Sequence, residues 1–466
     1  ASDTPCISLH VVGLNPQKMV QPDNNPPEHV PGGPEVPRGP EEIQQDDDLP
    51  QFQEDDAEEV IVLDSADPNQ PNHDVDDLEQ PSDDINVDGT DAADAEVDGE
   101  EMKPLSDDAI LVFQEHTSET LAVAASPVNK NIVITGGMDD IGLIWDLELQ
   151  QSIAKVDGAK DSVSTVAFSH DGRFAAFGSE NGAISIVLMD GSTANGTPLD
   201  GPGDTIHFLS WHPRGPVLLA GSSDSVAYMW NAAKGSFMMA FAGHEDAVSC
   251  GTFSADGKLV ITASLDTSVR IWNPTTGATV RRIQTGIDGL RGIFHGADIL
   301  CLDVGGLDTS ASNLIASGCA AGDVFVTHRG TGQIVRRLSR HEGGVESVAF
   351  SPELSKPVLL ATAGGDGIVR VWDVELGTER CKFTHGGVIA KVVWHPTLPV
   401  LVSASSDGSI VLWNALSGQQ MRKLEGHESF ISDVCFAGGN KFISSTSGDG
   451  SVRVFDVRET LETAVV

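Results

Sequence analysis

The sequence predicts an all-β fold: eight four-stranded sheets stacked face to face in a ring, an eight-bladed β-propeller, preceded by a disordered acidic N-terminal tail. Three observations predict it. First, a strand of alternating apolar residues ends eight times in Trp-Asp, Trp-Asn or a worn version of it, at Trp145, Val187, Trp230, Trp272, Thr327, Trp372, Trp413 and Phe455. The separations are 42, 43, 42, 55, 45, 41 and 42 residues, so one supersecondary unit has been copied and stacked. Second, six copies carry an Asp six residues before that position: Asp139, Asp224, Asp266, Asp366, Asp407 and Asp449. Six copies also carry a histidine 28 to 32 residues before it: His116, His244, His295, His341, His385 and His427. Third, composition divides the chain. Residues 1 to 106 hold 29 Asp and Glu against 3 Lys and Arg, and the rest hold 40 against 25.

The tail, 1–106, is rich in Pro, Asn and Asp, with Phe52 its only aromatic residue, so it lacks the apolar surface to offset its ordering entropy. Val60-Ile-Val-Leu63, flanked by acids, has the form of a segment that adds a strand to a partner's sheet, as binding sites for small ubiquitin-like modifiers do. The plainer reading, a stray apolar run, is favoured. Residues 107–466 suit one domain of eight blades. Ala109-Ile-Leu-Val-Phe113 stands ahead of the first copy with no strand partner nearby, and little after Val452-Arg-Val-Phe455 reads as a fourth strand. The early strand is therefore expected to complete blade eight and remove an open edge.

One copy shows the unit. Val248–Phe253 reads as the first strand, Asp256-Gly257 as a hairpin turn, Leu259–Ser264 as the second strand, Ser268–Trp272 as the third and Ala278–Ile283 as the fourth. The spaced His, Asp and Trp, with Thr262 or Ser264, suit a buried hydrogen-bond relay that fixes the turns, because buried polar groups must be paired. No helix is expected within the domain. Copies two, three and five depart from the pattern. Copy two has Ala159 and Val187, copy three keeps Asp224 and Trp230 without a histidine, and copy five has Ala321 and Thr327. Those blades are expected to be less firmly tied.

These residues resemble the WD-repeat family, with Gly243-His244 and Gly426-His427 for its Gly-His signature and Trp145-Asp146 and Trp372-Asp373 for its Trp-Asp. The resemblance covers residues 107 to 466 and implies a β-propeller. A narrower resemblance lies in longer words. Asp107-Asp-Ala-Ile-Leu-Val-Phe113, Trp211-His-Pro-Arg-Gly-Pro-Val-Leu-Leu-Ala-Gly221 with Trp230-Asn231, and the weaker Glu58-Glu-Val-Ile-Val-Leu-Asp64 are similar to the angio-associated migratory cell protein family. The yeast relative in that family is a dedicated chaperone of a late-assembling large-subunit ribosomal protein.

Chemistry is otherwise sparse. Six histidines sit at the repeated position, His212 and His395 each lie between a Trp and a Pro, and no Gly-rich phosphate loop precedes a helix. The expectation is no catalytic residue, no cofactor and no metal. The cysteines (Cys6, Cys250, Cys301, Cys319, Cys381, Cys435) show no paired spacing, which fits a reducing compartment. With no apolar run of spanning length and no signal-peptide pattern, the expected place is the cytoplasm, with the nucleus second. A formal charge of −41 argues against direct nucleic-acid binding and points to basic partners. Arg281-Arg282 and Arg336-Arg337 read as solvated edge charges.

The loops before each first strand and the turns carrying the repeated Asp are expected on one rim, around the mouth of the channel. They place there Glu119, Asp140, Asp161, Glu180, Asp204, Glu245, Asp246, Asp298, Glu342 and Glu428, with Phe430 as an apolar anchor and Lys160 among few bases. The sequence thus reads as a monomeric, non-enzymatic propeller that binds a basic protein segment. Its most concrete form is a chaperone for a large-subunit ribosomal protein, and the alternative is a general scaffold in signalling, trafficking or cell migration.

Overall fold

The computed structural model describes residues 106–465 apart from 158, 191–195, 200, 287–293, 307–310 and 353–356. The tail, Cys6 and the segment Val60–Leu63 lie outside the described residues.

Eight four-stranded antiparallel sheets are present. Seven run consecutively from inner to outer strand. Blade one is Thr120–Ala125, Ile132–Gly137, Gly142–Asp146 and Gln151–Val156. The copy read in detail above forms blade four with strands Cys250–Phe253, Val260–Ala263, Val269–Trp272 and Thr279–Ile283, each slightly shorter than expected. Blade eight has Ile431–Ala437, Phe442–Ser447 and Val452–Asp456, and its outer strand is Ala109–Phe113. Ala109 lies opposite Phe455 and Phe113 opposite Val452, so the ring closes as expected.

The apolar core lies between the blades. Each of eight buried clusters takes residues from two adjacent sheets. One joins blade four to five through Ile261, Ile271, Phe294 and Phe325. Another joins eight to one through Val452, Val454, Val133 and Trp145. A sheet that alternates in and out at both faces cannot bury both alone, so stacking against two neighbours completes it.

A strict period of two misses the bulges. In seven blades the pairing of the first two strands slips at the second residue of the inner strand: Leu121, Ser164, His207, Leu300, Glu346, Ala390 and Ser432. An extra residue on one strand bends it and re-aims a side chain. Ser164 and Ser432 use that freedom to donate to the first carbonyl of the next inner strand, Ile206 at 3.1 Å and Thr120 at 2.5 Å.

Two expectations fail. A short helix, Arg458–Glu462, follows blade eight and buries Leu461 in the cluster between blades seven and eight. It is too short to show a helical period in sequence. The outer arginines are also not simply solvated charges. Arg281 of blade four donates to the Gly330 carbonyl of blade five at 2.9 Å, and Arg422 of blade seven donates to Asp456 of blade eight at 3.0 Å. Arg336 of blade five likewise reaches the Glu375 carbonyl of blade six. Arg281 and Arg336 clasp the next blade's outer turn, and Arg422 the end of blade eight's third strand.

Candidate functional site: an acidic rim on a hydrogen-bonded frame

The repeated residues meet as a relay. In blade four Trp272 Nε1 donates to Thr262 Oγ1 at 2.8 Å, Thr262 pairs with His244 Nε2 at 2.8 Å, and His244 Nδ1 faces Asp266 at 2.9 Å. Since the indole can only donate, the threonine hydrogen goes to Nε2, and Nδ1–H is left to donate to the carboxylate. Blade one repeats this with Trp145, Thr135, His116 and Asp139, and blade six with Trp372, Thr362, His341 and Asp366. Blade seven uses Trp413 and Ser403, but His385 Nδ1 stands 3.8 Å from Asp407. Blade eight joins His427 to Ser445 and Asp449.

The departing blades find other ties. In blade three the missing histidine is replaced by Tyr228, the only tyrosine of the chain, whose hydroxyl donates to Asp224 at 2.7 Å. In blade two Asn181 donates to the Ala159 carbonyl at 2.5 Å. In blade five Ala321 offers no carboxylate, so His295 keeps Ser317 at 2.8 Å while its buried Nδ1 has no partner among the described residues.

The relay sets two expected results. Burial alone would raise the pKa of Asp266, but hydrogen bonds from His244 and Ser268 outweigh it and hold the carboxyl well below the usual range. Asp266→Ala would strand His244 and free the backbone of Glu245 and Ser268, costing roughly 2–3 kcal/mol in urea denaturation. Asp407→Ala loses bonds to Gly386 and Ser409 but only a long contact to His385, so roughly 1 kcal/mol is expected. The reverse order would show that the histidine contact is not what the aspartate secures.

The second result concerns pH. Burial pushes the His295 pKa down to about 3, and it depresses His244, His341 and His427 as well. The unfolded chain takes up these protons near the ordinary value of about 6.5, whereas the folded chain resists them. Stability is therefore full above about 6.5 and declines as pH falls towards the folded values, by about 1.4 kcal/mol per unit for each such group. The melting temperature should drop steadily between pH 7 and 4, and His295→Gln should flatten the slope. An unchanged slope would refute the assignment.

The frame also holds the candidate rim. Glycine turns between second and third strands press against the loop entering the next blade: a Cβ at Gly182 would meet Pro202 O at 2.4 Å, and one at Gly450 would meet Ser118 O at 3.1 Å. Both sets of loops therefore form one rim, continuous from blade eight to blade one. All the candidates but Asp140 are tied into it by backbone bonds. Glu119 O accepts from Met138 N, Asp161 O from Ser179 Oγ, Asp204 O from Ser222 Oγ, Asp246 O from Ser264 Oγ and Asp298 O from Ala320 N. Glu245, Glu342 and Glu428 donate their own N–H to Asp266, Asp366 and Asp449. Glu180 O accepts from Thr205, and Phe430 O accepts from Gly448 N. Asp140 stands in a turn with φ 64°.

Side chains differ in what they offer. Asp140, Asp204, Glu245, Asp246, Asp298, Glu342 and Glu428 are exposed, while Glu119, Asp161, Glu180 and Phe430 are half-buried. Glu245 is shared with Arg282 of the outer strand at 3.1 Å. Burial and the charge of Asp161 raise the pKa of Glu180, as expected where carboxylates crowd. Glu346, a bulge residue whose place no period of two marks, has its carboxyl pKa raised by desolvation among its neighbours. Among the described residues no group of three or more His, Cys, Asp or Glu is placed to hold a metal ion.

Comparison with known proteins agrees with this architecture. The WD domain, G-beta repeat family matches residues 150–187, 195–231, 235–273, 332–373, 377–414 and 418–456, half of the chain. The human angio-associated migratory cell protein is 27% identical over 416 residues, covering 86% of this chain and 94% of its own length. Among solved structures, Sqt1 of Chaetomium thermophilum, bound to the N-terminus of the ribosomal protein L10, has a TM-score of 0.67 at 22% identity over 75% of this chain and 100% of that one. Saccharomyces cerevisiae Sqt1 gives 0.67 and 22% over 76% and 100%. The repeated His-Asp-Trp frame, the eight four-stranded sheets and the matched repeats together make the chain a member of the WD-repeat family.

Proposed function

We propose that this propeller is a non-enzymatic chaperone or assembly factor whose acidic rim captures a basic segment of a large-subunit ribosomal protein and shields it until it meets RNA. The observation that carries the reading is the rim itself. Carboxylates from seven of the eight blades stand on the loops before the first strands and on the turns beside them, and the backbones of these loops are bonded to the frame. Fixed charges of one sign beside low-dielectric walls focus their field and steer an oppositely charged segment. The likeness to Sqt1, solved with the N-terminus of L10, supplies the class of partner. A monomer in the cytoplasm, with the nucleus second, and no direct contact with nucleic acid goes with this reading.

The test is titration of the full chain with a basic N-terminal peptide of a large-subunit ribosomal protein, together with affinity capture from extract. Saturable binding and one dominant ribosomal protein are expected. Capture of a mixture of signalling or trafficking proteins, without peptide binding, would favour a general scaffold and overturn the chaperone reading.

A further inference from the structure

Three blades carry an arginine two residues before the tryptophan position: Arg270, Arg370 and Arg453, exposed by only 7%, 6% and 6%. A buried guanidinium needs acceptors. Arg370 has them, since Nη1 donates to Glu379 at 2.7 Å and Nη2 to the Arg340 carbonyl at 2.9 Å. Arg453 has the carboxylate of Asp107. That aspartate belongs to the short segment leading into the closing strand, where Asp108 N donates to Glu425 O at 2.9 Å and Glu425 N to Asp108 Oδ2 at 3.0 Å. A piece of extended peptide thus lies in the crevice between blades seven and eight and brings a carboxylate to the arginine.

Blade four has neither device. Thr279 stands opposite Trp272 where Glu379 stands opposite Trp372. The residue opposite Arg270 is Arg282, a like charge. The Nε of all three arginines lacks an acceptor, so the difference lies in the terminal nitrogens. Those of Arg270 donate to no described residue, and its ring contact is with Trp272, 5.8 Å from the centroid. The crevice glycines make the same comparison. A Cβ at Gly426 would meet Asp107 Oδ1 at 2.6 Å and Arg453 Nη1 at 3.2 Å, whereas the three atoms nearest to one at Gly243 would be Arg270 Nη1 at 2.7 Å, the Trp272 ring at 3.1 Å and Arg270 Cζ at 3.5 Å. Nearby acids are engaged elsewhere, Glu245 with Arg282 and Asp266 with His244 and Ser268.

We infer that the crevice between blades three and four binds an acidic peptide segment, one aspartate or glutamate of which supplies Arg270 with the carboxylate that blades six and eight supply from within. Residues 107 and 108 give the template for the ligand. A carboxylate reaches the guanidinium while the neighbouring residue bonds the backbone just before the crevice glycine. Ala242, the last residue of blade three's outer strand Ser236–Ala242, holds that place and is exposed. The site adjoins the rim, where Glu245 pairs with Arg282, but it is opposite to the rim in sign and does not rest on the ribosomal-protein reading.

The probe is a fluorescent peptide of sequence Ser-Asp-Asp-Ala, capped at both ends, titrated into the full chain at physiological salt. Saturable binding is expected, and Arg270→Met should weaken it about tenfold or more, the usual scale for losing a charge-assisted pair. Thr279→Glu is the second variant. It should weaken the peptide as much while raising the melting temperature, because it restores the internal carboxylate, and it should leave binding of a basic peptide at the rim unchanged. A peptide with Asn in both Asp positions should not bind. Absence of binding to the parent chain, or binding by both variants as tight as the parent's, would overturn the inference. Displacement by inorganic phosphate at the concentration of competing unlabelled peptide would show a site for any oxyanion and overturn the peptide assignment.

Discussion

Removing residues 1–113 is expected to destabilise the propeller severely, while removing 1–105 leaves the melting transition where it was. The longer deletion takes away the outer strand of blade eight, including Phe113, 6% exposed and tilted against Trp145 with centroids 4.6 Å apart. Emptying one buried Phe site alone costs about 3–5 kcal/mol. The deletion also strips Asp107 from buried Arg453 and opens the whole edge of Val452–Asp456. The shorter deletion removes a segment whose composition offers little to bury, and it stops before the first bonds to Glu425. Thermal melts of the two truncations decide the matter. Equal melting temperatures would mean that the closing strand is not what holds the ring.

The second large effect is electrostatic. Reversing Glu245, Asp246 and Glu342 to Lys should weaken capture of a basic ribosomal peptide by about two orders of magnitude, since each lost charge contact is worth about 1 kcal/mol. Reversing three tail acids such as Asp46, Asp47 and Asp48 should matter far less. The tail carries more acids per residue, but the rim holds its acids on bonded loops. Affinity of the parent should fall steeply with salt, because charges are screened over about 8 Å at physiological ionic strength. The loss should appear mainly as slower association. Glu245 is 71% exposed in its pair with Arg282, so its reversal should cost little stability. Binding indifferent to salt and to the three reversals would sink the chaperone reading.

Most of the frame was legible in sequence because its parts recur. A histidine, an aspartate and a tryptophan at fixed spacing can be aligned across copies, and the structure brings them together in blades one, four and six as expected. Where one copy solves a problem alone, repetition gives no signal. Tyr228 replaces a histidine from a different strand, and only its being the sole tyrosine could have drawn notice. Bulges such as that at Glu346 shift a pattern by one residue, which a period of two cannot register. The clasping role of Arg281, Arg336 and Arg422 depends on which blade lies beside which turn, so it emerges only in three dimensions. The rim was readable because loop positions follow the repeat. Whether its acids touch a partner is not encoded in that spacing.

Closing the ring with its own beginning sets a clock. Asp107 and Arg453 are 346 positions apart. At synthesis rates of about 5–20 residues per second, roughly 17–70 s pass between their emergence. For that interval the strand Ala109–Phe113, apolar at every residue, has no sheet to join. Seven blades can stack in order as they appear, but the last seam waits until blade eight has been made. A nascent chain of this kind carries one unpaired apolar strand through that interval, and the cell must keep the strand from pairing elsewhere until blade eight arrives.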